Sequence, residues 1–507
     1  MTVDEIDFGS EDARNLRLRT DEEKKVFLSS YVLPSKFKLE DFLEGYKYFV
    51  FGGKGAGKTA LLQYIRIRAE IDLEAESMFF YFQSSFSKDE LRAFLANHAK
   101  ENGQVIDDRD LYDADESALF WRLFLLAQAA KLLKKAGIQE GAADEFAKLV
   151  ESAKLISQAK NIGKKYPNLQ KFSVTLSKNP QFQLDGTFEN ATVGDLSIYL
   201  QLSEEKLEEI YLDRTPLFIF VDEMEVYLKG DETDAFRLSA VASLVRAVRD
   251  FNERFYHSHI RVIAAIRDAV VDQVSSVQGE IYRIIRDNGV QLDWPGTVQM
   301  GLHPLEKMIL GRIVAQDKSF EKSGKSGNDS SLYEALTKYF PGNHILRKCL
   351  NLTWYRPRDV ALLFEEASTI DKGKSHFSPY TLSDGVVKAL GKRLWQDAIS
   401  GLAVKYNPME LNGIDRILRG GNEYYSKSSL IARMDELSDM YEDVAILSDN
   451  KWITIIEDLY QVGAIYCSSV SSGNKNFCFR GDAMPSLSKD FSIGVHRVLF
   501  KELSIRT

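Results

Sequence analysis

Cysteine is scarce: Cys349, Cys467 and Cys478 are the three in 507 residues. An odd, widely scattered trio forms neither a disulfide framework nor the close spacing of metal ligands, so a reducing cytoplasm is the expected setting. Positive charge is not in excess. A net charge of −9 and a pI of about 5.5 exclude a chain that coats nucleic acid by bulk charge, although a local basic patch could still bind it. The opening stretch, MTVDEIDFGSEDARNLRLRT, is acidic where a signal peptide would be basic and then apolar. No apolar run is long enough for a bilayer. The longest, ALFWRLFLLAQAAKLL from Ala118 to Leu133, carries Arg122 and reads as a buried helix, or as a partner-facing one if its apolar face is exposed. Internal repeats and low-complexity tails are also missing.

What remains is an ordinary soluble composition, 44% hydrophobic and 27% charged, in a length that suggests about three domains. Residues 1–45 read as a polar tail ending in a short docking segment, FKLEDFLEG. Beyond them, apolar strand-like runs at Tyr48 to Phe51, Ser77 to Ser85, Leu217 to Glu223 and Ile260 to Arg267 alternate with helical patterns. Such alternation predicts a parallel sheet covered on both faces, an α/β core over 46–300. Inside it, about 91–212 is mainly helical with a lysine-rich interruption between Lys160 and Lys178, read as a solvated insertion loop or a nucleic-acid patch. Residues 301–400 read as all helical. Residues 401–507 change to short helices followed by two β-like runs around a Ser/Gly/Asn turn.

The most informative stretch is YFVFGGKGAGKTALLQYI, Tyr48 to Ile65. It matches G-x-x-x-x-G-K-[ST] in full, between a strand and a helix. Glycines let the backbone curl until successive N–H groups face phosphate oxygens, aided by the positive end of the helix. Gly52, Gly53, Lys54, Gly55, Ala56, Gly57, Lys58, Thr59 and Ala60 are thus the candidate triphosphate cradle. Lys58 neutralises the β- and γ-phosphates and Thr59 offers its hydroxyl to Mg²⁺. The role of Lys54 stays open.

PLFIFVDEMEVYL supplies the second signal. An apolar strand ending in Asp222 fits a Walker B strand whose carboxylate holds Mg²⁺. Glu223, next to it, is placed to polarise an attacking water. Glu after that Asp marks the ATPase division with an extra strand between the two motifs; the guanine-reading N/T-K-x-D motif and a credible ABC signature are both missing. The strand IRVIAAIR ends in Arg267, which either stabilises the transferred phosphate or pairs with a neighbour such as Asp268. WYRPRDVALL opens a helix at Pro357, from which Arg356 or Arg358 could reach the nucleotide or serve only as an ion-pair partner. His257 and His259 read as a polar turn.

This order of motifs, closing on a C-terminal winged helix, resembles the AAA+/STAND-type P-loop ATPases. It is most similar to bacterial members encoded in anti-phage defence loci and more distantly similar to origin-recognition ATPases. The resemblance runs from Tyr48 to the C-terminus, except for about Leu91 to Leu212. It implies an ASCE-type P-loop NTPase with helical insertion, helical lid and winged helix, using ATP and Mg²⁺. Lys58, Thr59, Asp222 and Glu223 would be its core set, with Arg267 in the sensor-1 role and Arg358 in the sensor-2 role. No arginine finger is identifiable, which leaves self-association open. ATP would act as a switch on an effector or sensor protein, with Leu292 to Val314 as the hinge to the lid.

Within the C-terminal part, SKSSLIARMDELS and SDNKWITIIEDLYQ read as two serine-capped helices. The second, in the recognition position, offers Asn450, Lys451 and Gln461 but also Asp449, Glu457 and Asp458. Acidic residues there repel phosphates, so a protein partner is favoured over DNA. Arg480 and Lys475 could still supply phosphate contacts. The other readings are a DNA-loading ATPase and a nucleotide-bound scaffold that does not turn over.

Overall fold

Along the strand LFIFVD, side chains alternate between two apolar faces, and both faces are covered. A computed structural model of the chain describes residues 1–34, 37–81, 114–151, 193–212, 215–222, 233–294, 301–320, 329–342, 344–403, 405–448, 452–485 and 491–506. Glu223, the lysines from Lys160 to Lys178, Asp449, Asn450 and Lys451, most of the 91–212 insertion and part of the expected hinge lie outside them.

After α1 (Asp21–Ser30) and α2 (Leu39–Leu43) the chain runs β1 (Phe49–Gly52), α3 (Lys58–Leu73) and β2 (Glu76–Tyr81). Then follow α4 (Ala114–Lys135), α5 (Gly141–Glu151), α6 (Val193–Glu208), β3 (Leu217–Asp222), α7 (Thr233–Arg254) and β4 (Ile260–Arg267). The core closes with α8 (Asp268–Val277), α9 (Glu280–Asp287) and β5 (Gly289–Gln291). The sheet order is β2-β3-β4-β1-β5 and every pairing is parallel. Strand β4 therefore stands between β1 and β3, the extra strand expected between the two phosphate-site strands. Phe218, Phe220, Ile263 and Val50 pack on the α3 side. Ile219, Val221, Val262 and Ala264 pack on the other side, against Trp121, Phe124 and Leu125 of α4 and Val245 and Val248 of α7. The apolar run from Ala118 to Leu133 is thus core helix.

The lid contains α10 (Pro304–Gln316), α11 (Asp329–Tyr339), α12 (Ile345–Leu350), α13 (Pro357–Ile370) and α14 (Val387–Leu402). Next come α15 (Pro408–Leu418), β6 (Tyr424–Tyr425), α16 (Lys427–Met440), α17 (Glu442–Ser448), α18 (Trp452–Gln461), β7 (Ile465–Ser469), β8 (Lys475–Asn476) and β9 (Phe491–Val495). The last strands form a sheet ordered β6-β9-β7-β8. This is the helix–strand–helix–hairpin order of a winged helix, with α17 as an additional helix between the two that the sequence suggested. Lid and C-terminal part share one continuous apolar cluster, from Leu305 to Leu503, so they are not separately cored.

Three expectations need correction. The N-terminal residues are not a tail. Val3, Ile6 and Phe8 are buried in the lid core, Gln316 exchanges hydrogen bonds of 2.9 Å with both backbone groups of Asp7, and Val3 N–H donates to the Lys374 carbonyl. Three apolar anchors spaced through an acidic stretch gave no periodicity to read. Secondly, Asp458 does not face outward. It is 6% exposed, accepting from Lys405 Nζ at 2.5 Å and Tyr406 Oη at 2.7 Å; the exposed positions of α18 are Thr454, Glu457 and Gln461. Thirdly, Arg480 is engaged internally, whereas Lys475 is exposed. Arg480 lies over Tyr355 and Phe477 and bonds Asn351, while Lys475 lies over Tyr466.

Phe8 packs its ring 5.4 Å from Phe364 and 5.7 Å from Phe377, centroid to centroid. Phe8→Ala is therefore expected to destabilise the protein by about 3–5 kcal/mol, measured by urea unfolding. An unchanged midpoint would return the N-terminus to the status of a tail.

Candidate functional site

Register places the site. Gly52 at the end of β1 lies opposite Arg267 at the end of β4, and Asp222 ends β3. All three emerge at the carboxyl edge of the sheet, where ligands bind in open α/β folds. The loop that follows β1 passes through positive φ at Gly55 (+81°) and Gly57 (+96°), conformations that a side chain would strain. Gly55 has a second reason to be glycine: a Cβ there would stand 3.1 Å from Arg358 Nε.

Several groups brace this loop. Trp294 Nε1 donates to the Ala56 carbonyl at 2.9 Å, and Arg356 donates to the Lys54 carbonyl at 3.1 Å. Lys58 Nζ donates to the carbonyls of Gly52 at 2.8 Å and Gly53 at 3.0 Å, which holds the ammonium over the loop. The backbone N–H groups of the first turn of α3 remain as donors for an anion. Thr59 Oγ1 donates to Asp222 Oδ2 at 2.6 Å, and Asp222 is 2% exposed.

Around this centre lies a cavity of about 490 Å³, in the range of small-molecule sites. Lys54, Gly55, Gly57, Lys58, Thr59, Ala60, Asp222 and Arg267 line it from the sheet, and Met308, Arg312, Pro357, Arg358 and Arg393 from the lid. A third wall, Phe8 to Leu16 with Phe27 to Val32, comes from the N-terminal segment, which sequence reasoning left out of the site.

Asp397 of α14 was also missed. Its carboxylate gathers Lys54 (3.1 Å), Arg356 (3.2 Å) and Arg358, so phosphate loop and lid meet on one anion. This gives Lys54 a partner. Both arginines stand against the loop and each also has an ion-pair partner, Arg356 bonding Asp359 at 2.7 Å as well. Burial, with Arg356 beside it, pushes the Arg358 guanidinium down to about 10. Glu11 of the N-terminal wall pairs with Arg393 at 2.5 Å. Only the spacing of apolar anchors and charged partners could have signalled these contacts, and two of them, Lys54 with Asp397 and Glu11 with Arg393, join segments hundreds of residues apart.

Asp268, considered above only as a partner for Arg267, is pushed up to about 6 by burial, reinforced by Asp293 and Asp272 and opposed by Lys58. One of its buried oxygens makes no hydrogen bond. The folded protein therefore holds this proton more tightly than the unfolded chain, whose carboxyl titrates near 3.8. Stability falls as pH rises from the unfolded value through about 6, and stays lower above it. Asp268→Asn is expected to raise Tm near neutral pH, with the gain vanishing in acid below both values. A lower Tm at neutral pH would show that the carboxylate is favourably held.

Thr59 and Asp222 suit Mg²⁺: a hydroxyl and a carboxylate, hard oxygen donors already adjacent, leave the remaining positions for phosphate oxygens and water. Among the described residues no group of three or more His, Cys, Asp or Glu could hold a metal by itself. No helix among them is long and apolar enough to cross a membrane. Comparisons with known proteins add little. No protein-family profile matches the chain, and no curated protein matches it. A solved structure to which it is similar is Cdc6p from Pyrobaculum aerophilum, at 11% identity over 97% of this chain and 98% of that chain, with a TM-score of 0.32; at that score neither fold nor activity is argued from the likeness.

Proposed function

We propose that the chain is a Mg²⁺-dependent ATPase of the AAA+ kind, working as a conformational switch on a partner protein. The observation that carries this reading is the convergence of Lys58 and Thr59 from the start of α3 with Asp222 and Arg267 from the ends of β3 and β4 on one cavity that Arg358 closes from the lid. Bound Mg²⁺ would be held by Thr59 and Asp222 and would neutralise charge on the β- and γ-phosphates. Lys58 and the N–H groups of α3 bind the phosphates, Arg267 and Arg358 face the terminal one, and Glu223 orients the attacking water.

Switching is supported by what the lid carries. Arg356 and Arg358 follow directly on Trp354 and Tyr355, and Tyr355 stacks on Phe479 and under Arg480 of the C-terminal hairpin. A phosphate that draws Arg358 away from Asp397 therefore pulls on a segment packed against that hairpin. The exposed face of α18, with Glu457 as its charge, supports a protein partner rather than DNA. The order of motifs along the chain supports placing this switch in a bacterial anti-phage defence system.

The test is steady-state ATP hydrolysis with Mg²⁺ and with a chelator, alongside hydrogen exchange of the C-terminal hairpin with ATP and with ADP. Mg²⁺-dependent turnover and nucleotide-dependent protection are expected. Absence of both binding and turnover would sink the proposal; turnover with identical exchange would leave an ATPase that does not switch. Binding to duplex DNA that weakens steeply with salt would favour the DNA-loading reading.

A further inference from the structure

Arg312 is a half-buried cation that the protein itself does not use. It lies on α10, one turn beyond Met308, and both side chains line the nucleotide cavity. Its Nε is buried with no hydrogen-bond partner, and among the described residues no side-chain hydrogen bond or ion pair is formed by its guanidinium. An Nε–H buried in this way forfeits its hydration without replacement, and such groups are ordinarily found paired.

The surroundings hold it in place. Gly311 packs against Ser30, where a Cβ would meet Ser30 Cα at 3.3 Å. Gly9, at φ +103°, lies against the guanidinium so closely that a Cβ would stand 3.0 Å from Arg312 Cζ. Among the described residues the single charged group bearing on Arg312 is Asp7, and that carboxylate is occupied, accepting from Gly9 N–H at 2.8 Å and facing Arg17 at 3.7 Å.

Position within the cavity follows from the charges. Arg358 interacts with Arg356, Asp359, Glu11 and Arg267, and Asp268 with Lys58, which marks the triphosphate pole. Arg312 interacts with none of these. Gly9 lies against it instead, Met308 precedes it by one turn on α10, and α1 packs on the same helix through Ser30; Phe8, Phe27 and Tyr31 line the same cavity. Apolar and aromatic walls with one unsatisfied set of donors suit the base end of a nucleotide.

We infer that Arg312 reads the base, donating from its guanidinium to an acceptor nitrogen of the adenine ring held between the N-terminal segment and α10. The inference rests on the ATP reading above. A guanidinium offers donors only, so it recognises a ring nitrogen and gains nothing from the exocyclic amino group.

The test measures binding by calorimetry to wild type and Arg312→Met, with ATP, with a set of ATP analogues each lacking one ring nitrogen, and with inorganic tripolyphosphate. In wild type, one analogue is expected to bind about tenfold or more weaker than ATP, the worth of one charge-assisted hydrogen bond. Arg312→Met should lose the same factor for ATP, gain nothing from restoring that nitrogen, and bind tripolyphosphate as wild type does. Equal binding of ATP and every analogue by wild type would overturn the inference without any variant having to fold. So would an equal loss for ATP and tripolyphosphate in Arg312→Met, which would place the arginine on the phosphates. If wild type bound no ATP at all, the failure would be of the ATPase reading itself.

Discussion

Lys58→Ala is expected to weaken ATP binding by about 100-fold or more. The ammonium stands over the loop, anchored on the carbonyls of Gly52 and Gly53, where it can reach phosphates cradled by the same loop. Charge-assisted hydrogen bonds of this kind are worth about 1.5–3 kcal/mol each, and two are lost together. The structural cost is small, because Lys58 is only partly buried. The discriminating measurement is the ATP-induced rise in Tm, which should disappear in the variant while Tm without nucleotide changes little. Binding of adenosine, which has no phosphates, should be untouched. Undiminished ATP binding would mean that the loop is a structural turn between β1 and α3.

The residues at the centre of this site were legible because their spacing is dictated by local geometry. A loop that curls around phosphate needs glycine where φ is positive, and Gly55 and Gly57 are such positions. Strands that deliver a side chain to the sheet edge must end where Asp222 and Arg267 end, which fixed both from the apolar runs before them. Arg358 reaching the loop followed from a helix opening at Pro357. The third wall was not legible. Phe8 and, from the lid, Asp397 act by meeting partners more than 20 residues away in sequence, for instance Phe8 on Phe364, and nothing local marks such a residue. The acidic composition of the first residues also outweighed Val3, Ile6 and Phe8, which anchor them. Asp458 misled for a related reason: an acid on a helix can face inward when Lys405 and Tyr406 wait for it.

Glu223→Gln is expected to lower the hydrolysis rate by about 100-fold to 10,000-fold while ATP stays bound. The amide keeps the shape of the carboxylate and loses its basicity, and the binding groups Lys58, Thr59 and Asp222 are left in place. Glu223 follows directly on Asp222, whose carboxylate is fixed by Thr59 at 2.6 Å. Single-turnover hydrolysis together with retained ATP affinity is the measurement that separates loss of chemistry from loss of binding. Should Glu223→Gln turn over normally, the base must be another carboxyl at the same edge, and Asp268 is the one whose surroundings suit it. With its carboxyl pushed up to about 6 beside Lys58, it would be largely ionised at neutral pH yet still basic. The rate would then rise through about pH 6 and be lost in Asp268→Asn. If Glu223 is the base, Asp268→Asn keeps its turnover and changes only the pH dependence of stability. The two variants therefore assign the proton acceptor between them.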